Sequence, residues 1–280
     1  MRVHVLGVRG STSAPGTEFA RIGGHTSCVA LAQDGEPPSL ILDAGTGLRR
    51  LGSILDGAAF RGSILLGHLH WDHTHGLPFA RPVDRPDSDV RLLMPAQGDP
   101  VEVLERVMSP PHFPISPSEL GGRCSFEAME PGSYKLEGFT VLALEIPHKG
   151  GRTFGFRVDD GDSAVAYLSD HNPIAFGPGP EGLGPYHDAA LALADGVDLL
   201  FHDAQHTAAE LPACAGFGHS AAEYAAGLGA AAGAARVLLY HHDPNRTDDE
   251  VDALTAAVAA GASVPVEAAV ETAVFHLGQG

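Results

Sequence analysis

The run His68-Leu69-His70-Trp71-Asp72-His73 constrains this chain more than any other stretch. It follows Ser63-Ile64-Leu65-Leu66-Gly67, an apolar run that reads as a buried strand. Three imidazoles and a carboxylate at the end of a core strand are costly to desolvate without a partner that offsets their burial. A divalent metal is the natural partner, because it binds neutral imidazole nitrogen and carboxylate oxygen. Residues two apart on an extended chain face the same way, so His68 and His70 can hold one ion together. Asp72 and His73 lie past the turn and can face a second ion. The alternative, a set of exposed loop histidines, leaves the ligand chemistry and the spacing unexplained.

The rest of the chain alternates strands and helices. Strands are expected over 2–8, 28–32, 39–42, 63–67 and 90–94, with a short helix carrying Leu48, Leu51, Ile54 and Leu55 on one face. Asp99 and Pro100 open a helix as N-cap and first-turn residue. The proline-rich segment 109–122 reads as an irregular loop. A second run of strands follows near 124–129, 139–146, 153–158 and 163–169. Helices are expected over 186–194, 221–232 and 248–260, with strands over 197–202 and 236–241 and a last strand near 265–276. Two blocks of strands, each ending in helices, fit two sheets packed face to face with helices outside, although length and pattern also admit other layered α/β folds. No stretch is linker-like enough to divide the chain, so residues 1–280 are read as one domain.

Composition narrows the class of function. A net charge of -18 argues against sequence-independent nucleic-acid binding, which needs a basic surface. A metal pair would still offer a small anion a local positive field. No apolar run approaches the length of a membrane span, and Met1 to Gly7 is too short and strand-like for a signal peptide. Cys28, Cys124 and Cys214 are far apart and odd in number, which suggests no disulfide framework and favours the cytoplasm.

Three later apolar strands run into polar groups suited to a metal: 142–147 into His148, 164–169 into Asp170, and 236–240 into His241 and His242. Asp43, at the end of its own strand, either orients a ligand or serves a turn. Ser220-x-x-Glu223 reads as a capping box that starts a helix, with His219 just before it. A helix N-terminus there would offer Ser220 and free N–H groups to a phosphate oxygen, and His219 could protonate a departing alkoxide. Gly23-Gly24-His25 lies in a glycine-rich stretch, and His25 is a candidate for touching substrate.

His68-x-His70-x-Asp72-His73-x-x-Gly76 resembles the signature of the metallo-β-lactamase fold superfamily, and His148, Asp170 and His241 follow in the order of its later metal motifs. The resemblance implies an αββα sandwich, two mixed sheets with helices outside and the metal site at one edge. It implies that His68, His70 and His148 hold one ion, that Asp72, His73 and His241 hold the other, and that Asp170 bridges them. His241 is preferred to His242 because it directly follows the strand. Two divalent ions are implied, zinc first, with manganese and iron also compatible with the donors.

Asp203-Ala204, Gly218-His219-Ser220 and His241-His242-Asp243-Pro244 resemble the phosphodiesterase branch of that superfamily, which includes RNase Z and smaller cyclic phosphate phosphodiesterases. So do residues 7–12, 23–28 and 43–47. In that branch the histidine matching His219 is the general acid, and an acidic residue matching Asp203 orients it. RNase Z has glutamate there, one methylene longer. Its long basic arm, which grips tRNA, corresponds here to a short segment from His171 to Tyr186 without lysine or arginine. The resemblance therefore implies a small phosphodiester, such as a cyclic nucleotide or cyclic sugar phosphate, rather than tRNA. Water activated between the ions would attack phosphorus, with Asp72 and Asp170 orienting it. A homodimer is also implied. An acyl hydrolase, lactonase or thioesterase, on the same metal frame remains open, as does a non-catalytic metal-binding protein.

Overall fold

In a computed structural model, which describes residues 1–278, the N-terminal apolar runs form β1 (Arg2–Gly7), β2 (Cys28–Ala32), β3 (Leu40–Leu42), β4 (Arg61–Leu65), β5 (Asp89–Pro95) and β6 (Arg123–Met129). The second run forms β7 (Gly132–Leu136), β8 (Phe139–Glu145), β9 (Phe154–Asp159), β10 (Ala164–Leu168), β11 (Leu199–Asp203), β12 (Val237–Tyr240), β13 (Val266–Ala268) and β14 (Val274–His276). They make two seven-stranded mixed sheets, ordered β14-β1-β2-β3-β4-β5-β6 and β13-β12-β11-β10-β9-β8-β7.

Period-two alternation decides the layers. On β10, Val165 and Tyr167 enter the core between the sheets, while Ala166 and Leu168 join the outer apolar layer. Val29, Leu31, Leu42 and Leu65 meet Phe156, Val158, Phe201 and Leu238 across that central core. Helices Asp188–Ala194, Ala222–Ala231 and Asp248–Gly261 belong to the second sheet's side, where Leu193, Tyr224, Leu228, Leu254 and Val258 share a cluster with Leu200 and Leu239. Leu48, Leu51, Leu77 and Leu104 cover the first sheet. Strands that are apolar on both faces require this covering by helices.

Three local expectations are corrected. The last strand near 265–276 is two strands: β13 pairs parallel with β12 in one sheet, and β14 pairs antiparallel with β1 in the other. Residues 269–273 cross between the sheets, and Thr272 adopts a positive φ there. Strand β7 was not expected. It forms a hairpin with β8 through Glu137 and Gly138, both at positive φ; a turn of two such residues matches strand twist but does not need the usual Asn-Gly. The capping box at Ser220 does not form. Ala221 is the N-cap, because residues 220–222 pair with His206 (His206 N to Ser220 O 3.1 Å, Ala222 N to His206 O 2.9 Å), and the Glu223 carboxylate accepts instead from Ala208 N at 2.8 Å. Asp99 does cap its helix, accepting from Val101 and Glu102 N–H.

Among the described residues no helix is long and apolar enough to cross a membrane. All three cysteines are free.

Candidate metal centre

Strand direction gathers the polar residues at one edge. β10, β11 and β12 run parallel, and β8 runs the same way because two antiparallel pairings separate it from β10. Their C-terminal ends therefore deliver His148, Asp170, Asp203 and His241 to the same end of the sheet. Parallel β3 and β4 of the other sheet deliver Asp43 and the His68–His73 motif.

Two groups of donor atoms meet there, each set lying within 4.8 Å: His68, His70, His148 and Asp170; and Asp72, His73, Asp170 and His241. Asp170 belongs to both. In the first, His148 Nε2 lies 3.3 Å from His70 Nδ1 and 3.5 Å from Asp170 Oδ1, and His68 Nε2 lies 3.7 Å from the same oxygen. In the second, His73 Nε2 and His241 Nε2 lie 3.0 and 3.3 Å from Asp170 Oδ2 and 3.2 and 3.1 Å from Asp72 Oδ2.

Outer hydrogen bonds fix which nitrogen faces inward. His148 Nδ1–H donates to Gly218 O (2.7 Å), His73 Nδ1–H to Asp43 Oδ2 (2.7 Å), and His241 Nδ1–H to Gln205 Oε1 (3.1 Å). Each Nε2 then presents a lone pair to the cluster. Ser11 N–H fixes Asp72 Oδ2 at 2.7 Å. Asp43 Oδ2 also accepts from Tyr167 and Ser169, and Asp43 Oδ1 accepts from Gly67 N–H. At Gly10 an added Cβ would lie 2.3 Å from His241 Nδ1, so only glycine lets this loop approach the ring.

The donor set fits divalent metal. Both nitrogens of His68, His73 Nε2 and Asp170 Oδ2 are buried without a hydrogen-bond partner. Buried lone pairs facing carboxylate oxygens need a cation. Burial lowers the His68, His70 and His148 pKa values, keeping them neutral and able to ligate. Burial opposes charge on Asp170 too, but His241, His73 and His68 outweigh it and hold the carboxyl well below its usual range. His73 shows the demand for positive charge most clearly: despite burial, Asp170, Asp72 and Asp43 push it well above the usual histidine value.

Beside the clusters, His219 Nδ1 donates to Asp203 Oδ2 at 2.9 Å. Burial opposes the imidazolium, but the Asp203 charge and hydrogen bond, with Asp170 and Asp72, push its pKa up to about 9. The shorter carboxylate reaches the ring because Asp203 ends a strand and its other contacts, to His171 and Gln205 N–H, aim it there. His219, Asp72, Asp170, His70, Ser11 and Trp71 line one cavity of about 340 Å³.

Three sequence candidates lie elsewhere. His25 is half-buried with Nδ1 3.2 Å from the Thr46 hydroxyl and belongs to none of the donor groups. Ser220 is fully buried, its hydroxyl turned to Ala221 O. His242 turns away, with Nε2 3.0 Å from Ala269 O. The supporting hydrogen bonds from Ser11, Gly218, Tyr167 and Ser169 were not legible along the chain, although Ser11 and Gly218 lie in segments that resemble the phosphodiesterase branch. Arg9, in the same segment as Ser11, carried no sign of its packing role either. It is fully buried, pairs with Asp248 at 3.2 Å, and donates to the carbonyls of Gly23, Asp243 and Arg246. It thereby clamps the loop after His241. His171 and His202 are fully buried in a chain of imidazoles: His202 Nε2 lies 2.8 Å from His171 Nδ1, and His171 Nε2 lies 2.6 Å from His187 Nε2.

Comparison with known proteins agrees with this architecture. Residues 40–242 match the family described as Beta-lactamase superfamily domain. The chain is 27% identical to a protein named Ribonuclease Z from Salinibacter ruber (strain DSM 13855 / M31), over 86% of this chain and 85% of that protein. Its fold resembles that of the metallo-beta-lactamase fold protein YhfI from Bacillus subtilis, with a TM-score of 0.70, 21% identity, and 98% of each chain covered. It also resembles a diphosphatase from the PhnP family, with a TM-score of 0.70, 17% identity, and 99% and 97% of the two chains covered.

Proposed function

The chain belongs to the metallo-β-lactamase superfamily, and from that premise we propose that it is a two-metal phosphodiesterase acting on a small phosphodiester such as a cyclic nucleotide or cyclic sugar phosphate. The observation that carries this reading is His219, fixed by Asp203 at 2.9 Å, in the same cavity as Asp72 and Asp170. A phosphodiester's alkoxide leaving group needs a proton, and the Asp203 carboxylate at 2.9 Å favours the protonated His219 that carries one. Acyl transfer to water on the same frame would leave His219 without that task.

His68, His70, His148 and Asp170 would hold one ion, and Asp72, His73, Asp170 and His241 the other. Zinc suits these donors, as do manganese and iron. Such a pair supplies Lewis acidity toward phosphoryl oxygens and makes water a nucleophile near neutral pH. Asp72, fixed by Ser11 N–H, accepts a hydrogen bond from the attacking water and orients it. With Nδ1–H committed to Asp203, Nε2 of His219 is the atom that protonates the leaving oxygen. The net charge of -18 and the short segment 171–186 without basic residues support a small substrate rather than tRNA. The names of the relatives, a ribonuclease and a diphosphatase, support phosphoester chemistry.

The test compares hydrolysis of bis(p-nitrophenyl) phosphate, a lactone and a thioester by metal-loaded wild type and His219→Ala. Phosphodiester turnover that falls about 100-fold or more in the variant is expected. Acyl turnover untouched by the substitution, with no phosphodiester turnover, overturns the reading.

A further inference from the structure

Trp71 lines the metal cavity on one side and a second cavity of about 290 Å³ on the other. His75, Val107 and His112 border that second cavity and continue into a third, of about 260 Å³, walled by Phe79, Phe113 and Met108. A continuous groove thus leaves the metal centre and grows apolar with distance. Three large apolar residues stand exposed along it: Trp71 at 62%, Phe79 at 57% and Val107 at 37%. Grouped exposure of this kind marks a binding surface, whereas single exposed apolar residues are ordinary.

The aromatic geometry specifies what fits. Trp71 keeps one face on His75, with ring centroids 5.7 Å apart and planes at 15°. That stack holds the indole as a rigid platform while most of it stays open. Phe79 and Phe113 meet edge to face at 5.7 Å farther along. Arg106, exposed, borders both this groove and the cavity beside His68 and His70, so a cation stands at the join. In an acidic chain, that places positive charge beside the groove on the His68 and His70 side of the centre. A groove that served only a protein partner would have no need to open into the metal cavity through Trp71 or to carry a cation on the side of His68 and His70.

We propose that the groove binds the planar aromatic substituent of the substrate, a nucleobase in a nucleoside phosphodiester, stacked on Trp71 with its phosphate toward the metal centre and Arg106. The assignment of the phosphate end rests on the phosphodiesterase reading. It narrows the substrate class from small phosphodiesters in general to those bearing a base. Stacking tolerates any base because every base has a π-face, so discrimination among bases is weak.

Trp71 is the chain's single tryptophan, so its fluorescence reports on the groove directly. Metal-loaded protein is titrated with adenosine 5′-monophosphate and, separately, with ribose 5-phosphate. Saturable quenching by the nucleotide alone is expected, weakened about tenfold in Val107→Asp, a change at an exposed position that puts a carboxylate against the base. No nucleotide response, or an equal response to ribose 5-phosphate, overturns the proposal. So does a shift in Trp71 emission with protein concentration and no nucleotide response, which would assign the groove to a second copy of the chain. Nucleotide quenching without turnover of bis(p-nitrophenyl) phosphate would support the groove as a base-binding site while overturning the phosphodiesterase reading.

Discussion

Asp203 Oδ2 and His219 Nδ1 lie 2.9 Å apart, joining the end of β11 to the segment before helix Ala222–Ala231 across 16 residues of sequence. Both side chains are buried, and each stabilises the other's charge. The proton on His219 therefore depends on a residue that lines neither the cavity nor the metal groups of the first two clusters.

Asp203→Asn removes the charge that does most to hold that proton against burial. Activity needing protonated His219 falls as pH rises through its pKa, so the alkaline limb should move to lower pH than in wild type. A kcat–pH profile checks this. A variant that loses rate uniformly, with the limb in place, would assign Asp203 a purely structural part.

Asp43 orients His73 as Asp203 orients His219, but toward a metal. Asp43→Asn keeps the size of the side chain and weakens the His73 Nδ1 hydrogen bond. Metal affinity should drop about 10- to 100-fold, measured by competition with a chelator. Thermal stability of the metal-free form should fall as well, because Tyr167 and Ser169 hydroxyls and Gly67 N–H share the same carboxylate.

Acid should destabilise the metal-free fold early. Burial lowers His242 to about 3 and His202 to about 4, so both are neutral in the folded chain at neutral pH. The unfolded chain takes up protons at its ordinary histidine value, near 6.5. Their contribution is complete above that value and is lost as pH falls from about 6.5 toward 4 and 3. Urea midpoints measured across this range should decline, and His242→Gln should flatten the slope.

Arg9→Met should cost about 3–5 kcal/mol in denaturant unfolding, since it leaves Asp248 buried without its partner. The variant also frees the carbonyls of Asp243 and Arg246, which follow His241 in its loop. Metal affinity should therefore fall together with stability. Unchanged affinity in a still-folded variant would separate the clamp from the metal centre.

The sequence alone marked the segments that meet in the donor clusters. A polar residue at the end of an apolar strand is a local signal, and His68, His70, His148, Asp170 and His241 each carry it, because desolvation makes such residues expensive unless something binds them. The same periodicity made the two blocks of strands legible, with their helices. Local pattern could not divide the last strand between two sheets, since β13 and β14 find partners far away in sequence: β12 in one sheet and β1 in the other. Nor could it see that Ser220 would bridge to His206 rather than cap a helix. Placement directly after the strand already favoured His241 over His242 as the inward ring, and the tertiary structure supplies the cause, Gly10 and Gln205 beside His241 and Ala269 beside His242. Tertiary structure alone decided that Arg9 is a clamp and that Trp71 faces an open groove. Hydrogen bonds and pocket walls form between residues that are neighbours only after folding, and periodicity along the chain carries no record of them.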